Sequence, residues 1–119
     1  MRPIEFRGYD QYLERWLYGS LLIEECKGEV VCMIRQQGHP HDDQVDPATV
    51  GQYIGREDPT GKKIFGGDIT RRDDIVGVVF YNKNASEFTR KDKNGYYHTL
   101  WPSDVVVGNV TDNPELLTA

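Results

Sequence analysis

Two histidines and two aspartates lie close together near the middle of the chain, where they could ligate a divalent metal. These residues are His39, His41, Asp42 and Asp43. Imidazole and carboxylate groups are suitable ligands, and such a set would serve a metal-dependent hydrolase. The surrounding segment 36–46, QQGHPHDDQVD, is polar and contains glycine and proline. A metal site needs fixed ligands, so we favour a solvated linker here and assign no metal or cofactor.

A second candidate for chemistry is the glycine pair that precedes an aspartate, Gly66-Gly67-Asp68. A phosphate-binding loop places its glycines before the N-terminus of a helix. Here β-branched residues follow, and they favour an extended strand. The pattern therefore predicts a structural turn, with Gly67 at positive φ and Asp68 accepting backbone hydrogen bonds.

The remaining catalytic patterns do not favour an enzyme. No Ser-His-Asp or Cys-His set occurs in a recognisable family context, and no nucleotide-binding glycine loop precedes a helix. His98 lies among Tyr96, Tyr97 and Trp101. A histidine in an aromatic strand is more often a packed or surface side chain than a base. We therefore predict a protein that is not an enzyme and that has no catalytic residues.

Aromatic residues give a better candidate site for binding. They occur on neighbouring predicted strands, and alternation should direct about half of them outward. Exposed rings on a small barrel can bind peptide or single-stranded nucleic acid. Completion of a small core is the simpler interpretation, and we favour it. The candidate aromatic residues are Tyr81, Phe88, Tyr96, Tyr97 and Trp101.

The distribution of charge limits the range of partners. Residues 1–59 hold six Lys/Arg and eleven Asp/Glu, whereas residues 60–119 hold eight of each, so the net charge of −5 belongs to the first half. Non-specific binding to nucleic acid requires positive charge. The basic candidates for a local nucleic-acid site are few and adjoin turns, where solvated hairpin ends explain them simply. They are Arg71, Arg72, Arg90, Lys91 and Lys93.

The elements that would position these residues are predicted to be mainly β-strands. Residues 21–25 and 29–35 flank Lys27-Gly28 and predict a β-hairpin. A two-residue loop would place Cys26 opposite Glu29 and Ile23 opposite Cys32. The two cysteines then lie on opposite faces of the hairpin and cannot form a disulfide. Leu21, Ile23, Val30, Cys32 and Ile34 would share the apolar face.

The second half predicts a small barrel. Short strands over residues 62–65, 75–81, 87–92, 96–100 and 105–107 alternate with tight turns, including Asp58-Pro59-Thr60-Gly61 and Asn94-Gly95. Gly77 inside an apolar strand predicts a bend. Five such strands are typical of an SH3-like barrel. We therefore expect a mainly β fold, a β-rich α+β protein that forms one compact unit. An N-terminal lobe with the hairpin should cover residues 1–49, and an SH3-like barrel with a short C-terminal helix should cover residues 50–119.

Two segments carry signals that are typical of a helix N-terminus. Asp10 could cap a helix through Tyr12, Leu13 and Trp16, or it could begin a turn that leads into a strand. Asp46-Pro47 is typical of an N-cap followed by proline in the first helical turn, which predicts one helical turn through residue 50. Neither segment changes the expectation of a mainly β fold.

Three patches of sequence resemble the YopX family of small phage and prophage proteins. They are RPIEFRGYD at residues 2–10, VGQYIGREDPTGKKIFGGDI at residues 50–69 and VVVGNVTDNPELL at residues 105–117. The resemblance covers roughly a third of the chain, in the family's order and at both ends. This chain has Tyr9 where the family more often has tryptophan, and Gly66 where it often has glutamate. The resemblance favours the turn after Asp10.

The resemblance implies a phage-encoded or prophage-encoded protein of a bacterial host cell. The family has no generally established activity. We expect a non-enzymatic protein-interaction or oligomeric module, a homo-oligomer or a protein with another protein partner, with nucleic-acid binding and a hydrolase as alternatives. The lack of an apolar leader and the two cysteines predict a cytoplasmic setting without membrane contact. We expect a purely structural role for the signature residues, which are Tyr53, Gly55, Gly61, Ile64, Gly67, Asp68, Asn109 and Pro114.

Overall fold

The computed structural model describes residues 3–118 of the chain. These residues form ten β-strands and one short 3-10 helix, which confirms the mainly β fold class. The chain divides into two compact units, Met1–Tyr53 and Ile54–Ala119. The predicted boundary at residues 49/50 lies in the same strand as this division.

The N-terminal unit is a small sheet that closes on itself. Its strands are β1 (Phe6–Asp10), β2 (Arg15–Cys26), β3 (Glu29–Arg35) and the first part of β4 (Asp43–Glu57). They pair in the order β1-β2-β3-β4, and β1 also pairs with β4. The buried side chains of Leu17, Cys32, Ile34 and Val45 form the core inside this ring.

The register of the β2–β3 hairpin is the one that the sequence predicts. Cys26 pairs with Glu29, and Ile23 pairs with Cys32. Both cysteines are free; Cys26 is exposed and Cys32 is buried. The prediction holds because side-chain alternation and a two-residue turn together fix a hairpin register.

The turn after Asp10 is confirmed, and the alternative helix is wrong. The Asp10 carboxylate accepts hydrogen bonds from the backbone N–H groups of Tyr12 (3.0 Å) and Leu13 (3.2 Å). Strand β2 then begins at Arg15. An aspartate that satisfies the next N–H groups in this way stabilises a turn as readily as it caps a helix.

The predicted helical turn after Asp46 is wrong, because this segment lies within β4. Arg7 pairs with Gly51 but Tyr9 pairs with Asp46, so β4 bulges between these two pairs. The hydroxyl of Thr49 accepts a hydrogen bond from the N–H of Tyr9 at 2.8 Å and donates one to the carbonyl of Asp46 at 2.6 Å. Pro47 is tolerated because a bulge leaves its residues outside the hydrogen-bonded ladder.

The C-terminal unit contains the end of β4 and an antiparallel sheet. Its strands are β5 (Lys63–Phe65), β6 (Asp68–Arg72), β7 (Ile75–Asn82), β8 (Glu87–Asp92), β9 (Tyr97–His98) and β10 (Val105–Asn109), followed by the 3-10 helix Pro114–Leu117. Strand β5 pairs with β4, and the other five pair in the order β10-β6-β7-β8-β9. Ile64, Val79 and Val106 form the buried core. This arrangement is compatible with the predicted SH3-like barrel.

Candidate functional site

The structure does not gather the five candidate aromatic residues on one surface. Tyr81 and Phe88 pair across β7 and β8, and their ring centroids lie 5.2 Å apart in an edge-to-face arrangement. Tyr97 pairs with Lys91, whose side chain lies on the other face of β8 from that of Phe88. Alternation therefore places Tyr97 on the opposite side of the sheet from Tyr81. The ring of Tyr97 contacts Phe80, at 5.6 Å between centroids.

Tyr96 and the two lysines of the predicted basic patch lie around this second side and the nearby turn. Tyr96 precedes β9 and is exposed, as is Lys93 in the β8–β9 turn. The ammonium of Lys91 lies 5.9 Å from the Tyr97 ring centroid, a cation–π distance. These groups are accessible.

Arg90 was predicted to contribute to a nucleic-acid surface, and this is wrong. Its side chain is wholly buried and forms an ion pair with the equally buried carboxylate of Asp104. A Cβ on Gly77 would lie 2.4 Å from the Arg90 Cγ. Gly77, inside strand β7, therefore makes room for the arginine. Arg90 cannot reach a ligand from this position.

His98 is held by an aspartate on the neighbouring strand. Its Nε2 lies 2.8 Å from Oδ2 of Asp92. The hydrogen bond from His98 lowers the pKa of Asp92, and the backbone N–H groups of Tyr96 and Asn94 act in the same direction. Because Asp92 also accepts these two N–H groups with Oδ1, it fixes the turn as well as the imidazole. This geometry suits a packed histidine.

Two of the candidate binding residues, Arg71 and Arg72, line an open cleft of about 510 Å³, and a third, Trp101, lies against Arg72. Arg71, Arg72, Asp73, Ser103 and Val105 line this cleft. The guanidinium carbon of Arg72 lies 5.2 Å from the centroid of the Trp101 ring, which is 49% exposed. We call this group the Arg–Trp cleft: Arg71, Arg72, Ser103 and Trp101.

The backbone of Trp101 is fixed on both sides. Its N–H donates to Oδ2 of Asp104 at 2.6 Å, and its carbonyl accepts from Nη2 of Arg56 at 3.1 Å. The buried ion pair therefore supports the cleft, because Asp104 binds both Arg90 and Trp101. Sequence analysis missed Asp104 and Arg56, since nothing in the local pattern links either of them to Trp101.

A second exposed surface lies at the end of the β2–β3 hairpin, which we call the hairpin tip (residues 22–30). Every residue of the tip is exposed. Ile23 and Val30 are 65% and 56% exposed although they share the side of the hairpin that carries Cys32 and Ile34. Two apolar side chains thus continue the apolar face of the unit into solvent. The alternating apolar pattern of the sequence predicted this face, but it did not show that the face is exposed to solvent at the hairpin tip.

The polar loop at residues 36–42 connects β3 to β4 within the N-terminal unit. Asp42 binds the Nε of Arg35 at 2.7 Å, and His41 lies 3.6 Å from Asp43. Among residues 3–118, no group of three or more His, Cys, Asp and Glu side chains is arranged to hold a metal ion. The loop therefore supplies an ion pair between Arg35 and Asp42.

The central segment forms turns around two buried aspartates. Asp68 is 1% exposed and accepts the N–H of Phe65 at 2.8 Å. Gly67, at φ 91°, donates to the carbonyl of Val79. Burial alone would raise the pKa of Asp58, but hydrogen bonds from Thr60, Val106 and Lys62 lower it to about 2. Sequence analysis identified the turn at Asp58 without its bond to Val106.

The other signature residues also occupy structural positions. Ile64 lies in the core of the C-terminal unit, and Tyr53 is buried and donates its N–H to the carbonyl of Glu5. Gly55 and Gly61 have positive φ. Asn109 accepts the N–H groups of Thr111 and Asp112 in a turn. Pro114 is the first residue of the 3-10 helix.

These features define a small β protein of two units with one exposed hairpin and one basic cleft. The model of a family described as YopX protein matches residues 5–118, nearly the whole chain. The chain therefore belongs to the YopX family, which confirms the resemblance seen in the sequence.

Comparison with known proteins adds the fold but no activity. No curated protein matches the chain. The crystal structure of protein EF1440 from Enterococcus faecalis is similar, with a TM-score of 0.54 and 18% sequence identity over 98% of this chain and 99% of that chain. At this identity the similarity shows a shared fold alone. No helix in the described part of the chain has the length and apolar character needed to cross a membrane.

Proposed function

We infer that the chain is a non-enzymatic protein-interaction module whose contact surface is the hairpin tip. The observation that carries this inference is the exposure of Ile23 and Val30 on the apolar side of the hairpin. Covering two such side chains removes apolar surface from water and favours association. We also propose a phage or prophage origin, which the resemblance to the YopX family implies, and a role in the bacterial cytoplasm.

The backbone of the hairpin tip supports the same inference. Strand β1 pairs with β2 over Arg15–Gly19, and β4 pairs with β3 over Cys32–Ile34. Within the described chain, the outer edges of the two strands at the tip therefore have no neighbouring strand. An unpaired edge can accept a strand from another protein, with main-chain hydrogen bonds for affinity and side chains for specificity.

The charge of the tip indicates the chemistry of the partner. Glu24, Glu25 and Glu29 are exposed there, and Lys27 is the one basic residue of the tip. A second copy would bring like charges together, whereas a positively charged segment with apolar side chains complements both features. We therefore commit to a protein partner that presents a basic and apolar strand, and self-association becomes an outcome of the test.

Capture from host cells tests the proposal with matched variants. The bait proteins are the wild type, Ile23→Thr/Val30→Thr and the control Val107→Thr, which changes an exposed valine of the C-terminal unit. Threonine keeps the strand propensity and removes apolar surface. We expect one protein that the wild type and the control capture and that the double variant loses. The captured protein, once purified, should bind the wild type with an affinity that falls as salt rises.

Three results would contradict the proposal. Equal capture by the double variant would remove the hairpin tip from the contact. Binding that is insensitive to salt would remove the basic partner. Concentration-dependent self-association in light scattering, lost in the double variant, would replace the partner with a second copy.

A further inference from the structure

We propose that the Arg–Trp cleft binds a nucleotide, with the phosphate at the arginines and the base stacked on Trp101. The cleft belongs to the C-terminal unit and is independent of the hairpin tip. Its volume of about 510 Å³ lies within the range of small-molecule sites, which is roughly 300–1,000 Å³.

Positive charge at the cleft exceeds negative charge. Arg71 and Arg72 line it together with one carboxylate, that of Asp73. The guanidinium of Arg90, behind the cleft, pairs with Asp104, interacts with Asp92 as well, and is close enough to Arg72 for the two positive charges to interact. An arriving phosphate would compensate the excess charge of the lining residues and bond to the guanidinium groups of Arg71 and Arg72.

Some buried guanidinium nitrogens of the cleft and of the ion pair behind it have no hydrogen-bond acceptor among the described residues. The Nε of Arg72 and the Nε and Nη2 of Arg90 are buried, and within the described residues they have no hydrogen-bond partner. Buried donors are usually satisfied; those of Arg90 lie beyond the reach of a ligand, whereas the one on Arg72 belongs to a side chain of the cleft. Arg72 also lines the cleft, so an anion seated there can reach this side chain without entering the core.

The aromatic part of the site is already in position. The Trp101 backbone is fixed by Asp104 and Arg56, and its ring is stacked with Arg72 yet half exposed. A fixed, exposed ring next to a cation is a stacking surface for a planar base, and such stacking contributes about 1–3 kcal/mol per base in other proteins. The zero net charge of residues 60–119 argues against long nucleic acid as the preferred ligand.

Fluorescence of Trp101 gives a direct test in the full-length protein. Trp16→Phe removes the other tryptophan, which lies in the N-terminal unit against Arg7. The probes are adenosine monophosphate, adenosine, inorganic phosphate and a 5′-phosphorylated single-stranded oligothymidylate. We expect saturable quenching by adenosine monophosphate and binding at least tenfold weaker for adenosine.

Variants of exposed residues locate the site without disturbing the core. Arg71→Gln should weaken binding by roughly tenfold, the usual effect of losing a charge-assisted hydrogen bond. Asp73→Asn should tighten it, and Lys83→Gln, an exposed change in the β7–β8 turn, should leave it unchanged. Circular dichroism checks that each variant is folded.

The proposal fails if adenosine monophosphate causes no quenching up to millimolar concentration, or if adenosine binds equally well. It also fails if Lys83→Gln weakens binding as much as Arg71→Gln. Tighter binding of the oligothymidylate than of the mononucleotide would identify a nucleic-acid strand as the ligand and would overturn the free nucleotide.

Discussion

Arg90 and Asp104, both with no exposed surface, form an ion pair inside the C-terminal unit. The guanidinium of Arg90 also approaches the carbonyl of Ile75, at 3.4 Å, and Asp104 binds the N–H of Trp101. This pair therefore connects β8, the start of β7 and the loop before β10. Burial of the two charges carries a large desolvation penalty, and their mutual attraction offsets it. Each charge therefore depends on the other.

Asp104→Asn should strongly destabilise the protein. The change keeps the shape of the side chain and leaves the buried charge of Arg90 without its counter-charge, at a cost of about 3–5 kcal/mol. Urea unfolding measures the loss, with Asp74→Asn, an exposed aspartate, as the control. A loss below about 1 kcal/mol would show that water reaches the pair.

Gly77→Ala should lower the melting temperature. The added Cβ would lie 2.4 Å from Cγ of Arg90 and 2.9 Å from the carbonyl oxygen of Lys91, which is backbone and cannot move away freely. Overpacking of this kind costs about 1–3 kcal/mol. Calorimetric melting gives the answer, and an unchanged melting temperature would mean that Arg90 does not cross Gly77 as described.

Asp58 should make stability depend on pH in the acid range. Its pKa in the folded protein is about 2, below the usual 3.8, so the charged form is stabilised by folding. This contribution is complete above about pH 4 and is lost as the pH falls toward 2. The free energy of unfolding of the wild type should therefore exceed that of Asp58→Asn at pH 6, with the gap narrowing at pH 2. A constant gap would contradict the assignment.

Gly67→Ala and Asp68→Ala should both lower the melting temperature without affecting partner binding by the folded protein. A Cβ at φ 91° is strained, at about 1–2 kcal/mol. Loss of the Asp68 carboxylate removes the acceptor of the Phe65 N–H, which should lower the free energy of unfolding by about 1–3 kcal/mol. Because Asp68 is buried, Asp68→Ala should lower the free energy of unfolding at least as much as Gly67→Ala does. Stable variants that lose binding would make this segment a functional site.

Local pattern was sufficient for the hairpins. Alternation and the Lys27-Gly28 turn determine which residues of β2 and β3 face each other, so the register followed without knowledge of the rest of the fold. The turn predicted at Asn94-Gly95 also forms, between β8 and β9, and Gly95 has φ 87°.

Long-range partners were not accessible to the same reasoning. Arg90 lies in a run of charged residues beside a turn, which favours exposure, and its partner Asp104 is 14 residues away. Asp58 and Val106 are separated by 48 positions. The bulge at Pro47 likewise depends on pairing with β1. The apolar pattern of β2 and β3 does not show that their apolar face becomes exposed at the hairpin tip. In each case the decisive contact comes from another part of the sheet.

Site-specific photo-cross-linking tests the central claim, that the hairpin tip contacts a protein partner, most directly. One variant carries a photoreactive phenylalanine analogue in place of Ile23. The control variant carries it in place of Asn84, which is exposed in the β7–β8 turn. Irradiation in host cells should yield one adduct from position 23 with a protein other than this chain, and position 84 should not yield it. The same adducts from both positions, adducts with a second copy alone, or no adduct from position 23 would contradict the account.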